Sequence, residues 1–182
     1  MNDSPINQAP EQFDLGDIRL RRPRPADAEA IFEYGSDPEV ARFADWPVQA
    51  SIEPILELIE ERKARWECGN EFYWVITEGG SDRALGGVSC KLKGDAAEIG
   101  YLLNRNHWGK GYATKSAMAV VQWLKSNPTI TRIWATCDTE NLASIRVLEK
   151  LGLHRERILK NHAVRPAIGT EKRDAYLYEA EF

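Results

Sequence analysis

Asn106-His107-Trp108-Gly109-Lys110-Gly111-Tyr112-Ala113-Thr114 sits between two elements that the residue pattern already names. Upstream, Ala97-Glu98-Ile99-Gly100-Tyr101-Leu102-Leu103 reads as a strand. Downstream, Ala113 to Leu124 reads as an amphipathic helix. The segment is therefore a strand, a short glycine-containing turn and a helix N-terminus. Glycine lets a backbone approach a ligand closely, and a helix start offers unpaired N–H groups at the positive end of a dipole. Together they suit a phosphate or pyrophosphate. Two glycines alone are equally consistent with a connection that holds no ligand.

A second strand–turn–helix follows: strand Arg132–Cys137, then Asp138-Thr139-Glu140-Asn141, then a helix in which Ile145, Leu148 and Leu151 recur at helical spacing and Gly152 forms the stop. With this second segment in place, the chain resembles the GNAT acetyltransferase superfamily. Trp108-Gly109-Lys110-Gly111-Tyr112-Ala113-Thr114 is similar to that family's Arg/Gln-x-x-Gly-x-Gly/Ala loop for acetyl-CoA. Asn141-x-x-Ser144 with Val147-Leu148-Glu149-Lys150-Leu151-Gly152 is similar to its second motif helix. The wording is nearest the branch containing ribosomal-protein N-terminal acetyltransferases, and the likeness runs from about Asp17 onward.

The 182 residues are expected to form one domain, 17–182, preceded by a flexible tail over 1–16 that is rich in Asn, Gln, Pro and Ser. Apolar residues make up 43% and charged residues 29%, ordinary values for a soluble globular chain. A net charge of −4 gives no footprint for nucleic acid. Cys68, Cys90 and Cys137 are widely spaced and read as buried free thiols. His107, His154 and His162 form no metal-ligand spacing. No run is apolar enough for a membrane span, and no signal-peptide pattern opens the chain, so a cytoplasmic protein is expected.

Along the chain, Ile18–Arg22 reads as a strand and Pro25 to about Tyr34 as a helix burying Ala28, Ile31 and Phe32. A short helix is expected near Val40. Ser51–Trp66 reads as a long helix with Ile52, Ile55, Leu56 and Ile59 in one stripe. Strands are expected at Phe72–Thr77 and Ala84–Leu92, and late strands near His154–His162 and Arg173–Glu181. Hairpins together with helical crossovers imply an α+β fold. The resemblance implies the same: a mixed, mostly antiparallel central sheet of about seven strands flanked by helices on both faces.

The resemblance also implies roles. Backbone N–H groups of Trp108, Gly109, Lys110, Gly111, Tyr112 and Ala113 would hold the pyrophosphate of acetyl-CoA, with Thr114 adding a hydroxyl or merely filling the first turn. The pantetheine arm would lie along Tyr101, Leu102 and Leu103, as an added strand does, and an N–H near Leu102 would polarise the thioester. Asn141 would bond the cofactor arm or cap its helix. Many relatives carry a Tyr acid where this chain has Leu148, so Ser144 remains as the group facing the leaving thiolate. It is otherwise a small residue that lets the helix pack closely. Asn106 replaces the family's Arg or Gln and reaches less far.

Glu98 is the candidate base. A partly buried carboxylate on the motif strand would have a raised pKa suited to taking a proton from an amine; its plain alternative is an exposed strand carboxylate. Asp138 and Glu140 are weaker candidates. Tyr34, Phe43, Asp45 and Trp46 would wall the acceptor site, where Asp45 or Glu98 could hold an ammonium. The expected activity is acetyl-CoA-dependent N-acetylation of a primary amine, either a protein N-terminus or a small amine, by a monomer or homodimer without a metal. The alternative is a non-catalytic acyl-CoA-binding sensor. A P-loop protein is excluded, because Gly109-Lys110-Gly111 does not fit Gly-x-x-x-x-Gly-Lys-Ser/Thr.

Overall fold

The computed structural model describes residues 9–182. In chain order these residues form β1 (Gln12–Asp14), β2 (Ile18–Arg21), α1 (Ala28–Gly35), α2 (Pro38–Ala41), α3 (Glu53–Glu67), β3 (Glu71–Glu78), β4 (Ala84–Lys93), β5 (Ala96–Leu103), α4 (Tyr112–Lys125), β6 (Arg132–Asp138), α5 (Leu142–Lys150), β7 (His154–Val164) and β8 (Lys172–Glu181). The strands make one sheet of eight in the order β1-β2-β3-β4-β5-β6-β8-β7. Every neighbouring pair is antiparallel except β5 with β6. The mixed, mostly antiparallel α+β architecture is as expected, with one strand more than the seven anticipated.

The extra strand lies in the segment read as a tail. Residues 1–8 of that tail fall outside the described residues. From Ala9 onward the chain is bound to the sheet: Ala9 is buried, Gln12–Asp14 pairs with β2, and Phe13 meets Trp74 edge-on at 5.5 Å. The Trp74 indole N–H donates to the Pro10 carbonyl at 2.8 Å. A polar, three-residue edge strand carries no periodicity of its own; its order comes from the tryptophan it covers.

Two cores lie on opposite faces of the sheet. One joins α4 and α5 to Phe72, Trp74, Val88, Ile99, Ile133 and Ala135. In α4, Ala117, Val120, Val121 and Leu124 supply the buried stripe. Trp74 sits between Trp66 at 5.1 Å and Trp123 at 5.7 Å, both edge-on, and each such pair adds about 0.5–1.5 kcal/mol beyond burial. The other core packs α1 and α3 on Tyr73, Val75 and Ala84. The α3 stripe is narrower than expected: Ile55 and Ile59 are buried, but Leu56 is 40% exposed.

The parallel pair decides where a site can form. β5 and β6 pair only through Ala96↔Arg132, Ala97↔Ile133 and Glu98↔Trp134. Beyond Glu98, β5 stays on β4 as far as Leu103, and β6 stays on β8 as far as Asp138. The sheet therefore splits between two continuing strands. α4 begins beyond the end of β5 and α5 beyond the end of β6, so both helix N-termini stand at the mouth of the split.

Candidate active site

The strand-edge groups inside the split can be assigned by parity. The Asn104 N–H donates to the Leu85 carbonyl at 2.7 Å. By antiparallel alternation, the even residues of β5 turn their N–H and C=O groups to β4 and the odd residues turn theirs to the split. Consistent with this, a Cβ on Gly86 would collide with the Leu102 carbonyl oxygen. The polarising N–H expected near Leu102 is therefore directed at β4, and Tyr101 supplies the N–H that faces the split. Side chains alternate the other way. Ala97, Ile99, Tyr101 and Leu103 belong to the α4–α5 face, whereas Leu102, and with it Glu98 and Gly100, belong to the α1–α3 face.

The glycine loop closes one side of the mouth. Gly109 has φ +79° and Gly111 φ +81°, with open space where a Cβ would stand, so the need for glycine there is conformational rather than steric. Gly111 caps α4 without any side-chain hydrogen bond. The first intrahelical donor is Lys115, to the Gly111 carbonyl, which leaves the N–H groups of Tyr112, Ala113 and Thr114 at the helix start. Trp108 differs from expectation: its N–H is taken by the Arg105 carbonyl at 3.1 Å and its indole N–H by the Leu103 carbonyl at 2.8 Å. The side chains of Lys110 and Tyr112 are engaged with Glu78, at 3.4 and 2.7 Å. The loop therefore offers an anion its backbone from Gly109 to Thr114. From Gly111 and Thr114 a groove of about 420 Å³ runs past Met118 and Gln122 to Lys150.

The other side of the mouth is the start of α5. Asn141 is its N-cap, accepting the Ser144 N–H at 3.1 Å through Oδ1. The Ser144 hydroxyl lies 2.9 Å from the Tyr101 phenol, which also donates to the Ser144 carbonyl at 3.1 Å. Burial, opposed by the Ser144 hydrogen bond, pushes the Tyr101 phenol well above its ordinary value. It is thus a neutral donor at every pH of interest. Nothing in the sequence signals this pairing.

On the opposite face, Glu98 is half-buried between its strand neighbours Lys91 and Trp134. Burial raises its carboxyl above the usual range; Lys91 opposes the shift, and Asp45 and Glu71 reinforce it. Asp45, exposed in the connection between α2 and α3, thus acts on Glu98 through space, and Phe43 and Trp46 of the same connection are half-buried. Tyr34 departs from its expected place in an acceptor wall. It is 2% exposed and packed in the α1–α3 core, and its hydroxyl makes no hydrogen bond of ordinary geometry.

At the far end of β6, Asp138 is buried and bound by Arg173 at 2.7 and 3.2 Å, while its Oδ1 also accepts the Glu140 N–H. Burial works against the Asp138 carboxylate, but Arg173 and that N–H hold its pKa below the ordinary value. Asp138 and Glu140 are therefore committed to Arg173 and unsuited to act as bases. Cys90 and Cys137 are buried free thiols, and burial together with Asp138 pushes Cys137 up to about 11; Cys68 is exposed, contrary to expectation. Among the described residues no cluster of His, Cys, Asp and Glu could hold a metal ion, and no helix is long and apolar enough to cross a membrane.

A profile of the family described as Acetyltransferase (GNAT) domain matches residues 17–154. The chain is 32% identical over 146 residues to the uncharacterized N-acetyltransferase YoaA of Bacillus subtilis, covering 79% of this chain and 82% of that one. Its fold is similar to that of a GNAT family acetyltransferase from Bacillus anthracis, with a TM-score of 0.81, 27% identity and coverage of 93% and 98%. It is also similar to RimL, a ribosomal L7/L12 alpha-N-protein acetyltransferase solved with coenzyme A. There the TM-score is 0.81, the identity 20% and the coverage 92% and 95%, a likeness of fold alone.

Proposed function

The chain belongs to the GNAT acetyltransferase family, and on that footing we propose that it transfers the acetyl group of acetyl-CoA directly to a primary amine, with both substrates bound at once on opposite faces of the split sheet. The observation that carries this reading is the division of chemistry across β5. Glu98 stands on the α1–α3 face, Tyr101 and Ser144 meet on the α4–α5 face, and the strand edge between them has no partner strand among the described residues.

Acetyl-CoA supplies an activated acetyl carbonyl, and each remaining task falls to a group of this chain. The N–H groups from Gly109 to Thr114 hold the pyrophosphate at a helix N-terminus, and the groove toward Lys150 takes the nucleotide end. The open edge of β5 receives the amide groups of the arm as a neighbouring strand would. Asn141, whose Oδ1 is spent on the helix cap, offers its amide nitrogen to the same arm. The Tyr101 N–H stabilises the negative charge that develops on the carbonyl oxygen. Glu98 takes a proton from the incoming ammonium, directly or through a water, with Asp45 adding negative potential that attracts the cation. As the C–S bond breaks, the Ser144 hydroxyl donates a hydrogen bond to sulfur.

Initial-rate kinetics with varied acetyl-CoA and amine, followed by thiol release, test this directly. Intersecting double-reciprocal lines are expected for a ternary complex. Parallel lines would mean an acetyl-enzyme intermediate and would contradict direct transfer.

A further inference from the structure

Arg165 is a buried arginine, 8% exposed, whose guanidinium makes no hydrogen bond or ion pair to any described residue, and its Nε is fully enclosed without a partner. Its backbone is fixed: the Arg165 carbonyl accepts the N–H groups of Ile168 at 2.8 Å and Gly169 at 3.0 Å, closing the turn after β7. A guanidinium taken from water without a counter-charge costs several kcal/mol.

The obvious counter-charge is already spent. Asp138 lies close enough for Arg165 to help keep it ionised, but both carboxylate oxygens of Asp138 are occupied by Arg173 and by the Glu140 N–H. Glu140, the next acid in the chain, also pairs with Arg173. Arg173 thus serves two acids and Arg165 none.

The position of this charge relates it to the reaction. Glu98 pairs with Trp134, so the β6 residues Cys137 and Asp138 stand level with Tyr101 and Leu102 across the split. β7 runs in the same direction as β6 on the other side of β8, so Arg165, just past the end of β7, stands at the end of the sheet where the split opens, and it acts through space on Cys137 and Asp138. Two sheet spacings, about 10 Å, separate strands that admit one extended arm between them. An anion on Arg165 therefore lies at the same end of the sheet as an amine placed at the thioester.

From this we infer that Arg165 is the anion-recognising residue of the acceptor site, and that the preferred acceptor is an amine carrying a nearby carboxylate: an acidic amino acid, or a peptide whose first or second residue is acidic. This rests on the acetyltransferase reading and names its substrate class. A planar guanidinium suits a carboxylate because it can donate two parallel hydrogen bonds.

The test compares matched acceptors with the full chain and acetyl-CoA: two peptides identical except for Asp or Asn at the first residue, a second pair differing at the second residue, and free aspartate against asparagine. The acidic member should win in kcat/KM by about tenfold or more. The peptide and free amino-acid arms distinguish the two sources of the same chemistry. Arg165→Gln should bring the ratio close to one, and Arg165→Glu should invert it. Equal wild-type rates on Asp and Asn acceptors would overturn the proposal even if the variants fail to fold. So would turnover of neither, or an Arg165→Gln enzyme that keeps the wild-type ratio. Calorimetry with acetyl-CoA separates this failure from the broader one, since a chain that binds acetyl-CoA and ignores acceptor charge refutes only the role of Arg165.

Discussion

The hydroxyls of Tyr101 and Ser144, 43 residues apart in the chain, meet at 2.9 Å across the split between β5 and α5. The one phenol hydrogen can go to the Ser144 carbonyl or to its hydroxyl oxygen; given to the hydroxyl oxygen as the thiolate forms, it leaves the serine's own hydrogen for sulfur. Ser144→Ala and Tyr101→Phe should each lower kcat by about ten- to hundredfold, the worth of a hydrogen bond to a charged group. Acetyl-CoA affinity should change little, because the bond matters when sulfur becomes charged. The double variant should lose no more than the worse single one. Fully additive losses, measured by steady-state kinetics and calorimetry, would mean that the two hydroxyls act separately.

Glu98 should trade stability for activity. Its carboxyl is raised by burial, so the folded state holds the proton more tightly than the unfolded state. The associated stability is present at low pH and is lost as the pH climbs through the folded value. Glu98→Gln should therefore melt above wild type at pH 7, with the difference vanishing near pH 3. Transfer to a basic amine should fall by about 10²-fold at neutral pH and recover at high pH, where the amine needs no base. A variant as active as wild type at pH 7 would remove Glu98 from the chemistry.

Gly111 joins loop conformation to cofactor binding. At φ +81° an alanine is strained, although its Cβ meets nothing, so Gly111→Ala should cost about 1 kcal/mol. Gly111→Glu adds a negative charge beside the proposed pyrophosphate site. It should abolish the rise in Tm that acetyl-CoA gives the wild type by linkage. An undiminished Tm shift in Gly111→Glu would move the pyrophosphate elsewhere.

Much of this was legible and some was not, for physical reasons. Trp108–Thr114 and Asn141–Ser144 could be placed on a loop and two helix starts because glycine, asparagine and 3.6-residue periodicity act locally. The small and apolar neighbours of Glu98 left partial burial and exposure both open, because which of the two holds depends on the Lys91 and Trp134 that the sheet brings beside it. Tyr101 and Ser144 could not be paired in advance, since their meeting depends on where β5 and β6 part. The same register turned the Leu102 N–H away from the split and gave that place to Tyr101. Strand β1 was missed because its order comes from Trp74, more than sixty residues away, and Arg165 because a lone arginine before a proline looks like solvent-facing loop.

Arg173→Met tests the electrostatics at the end of β6. Asp138 is held below its ordinary pKa, chiefly by Arg173 acting against burial. The stability this provides is present above the unfolded carboxyl value and is lost as the pH falls through the lower folded one. The variant should lose several degrees of Tm at pH 7, and the deficit should shrink toward pH 2–3 as Asp138 is protonated. A deficit independent of pH would assign Arg173 to packing alone.

If acetyl-CoA enters the split as an added strand on β5, backbone amide exchange followed by NMR will record it residue by residue. Without ligand, the Leu102 N–H, turned to β4, should exchange slowly and the Tyr101 N–H, facing the split, quickly. Saturating acetyl-CoA should slow Tyr101 and the loop amides from Gly109 to Thr114 by at least about tenfold and leave Leu102 nearly unchanged. Bound acetyl-CoA that leaves the Tyr101 amide exchanging as fast as before would rule out strand addition on β5.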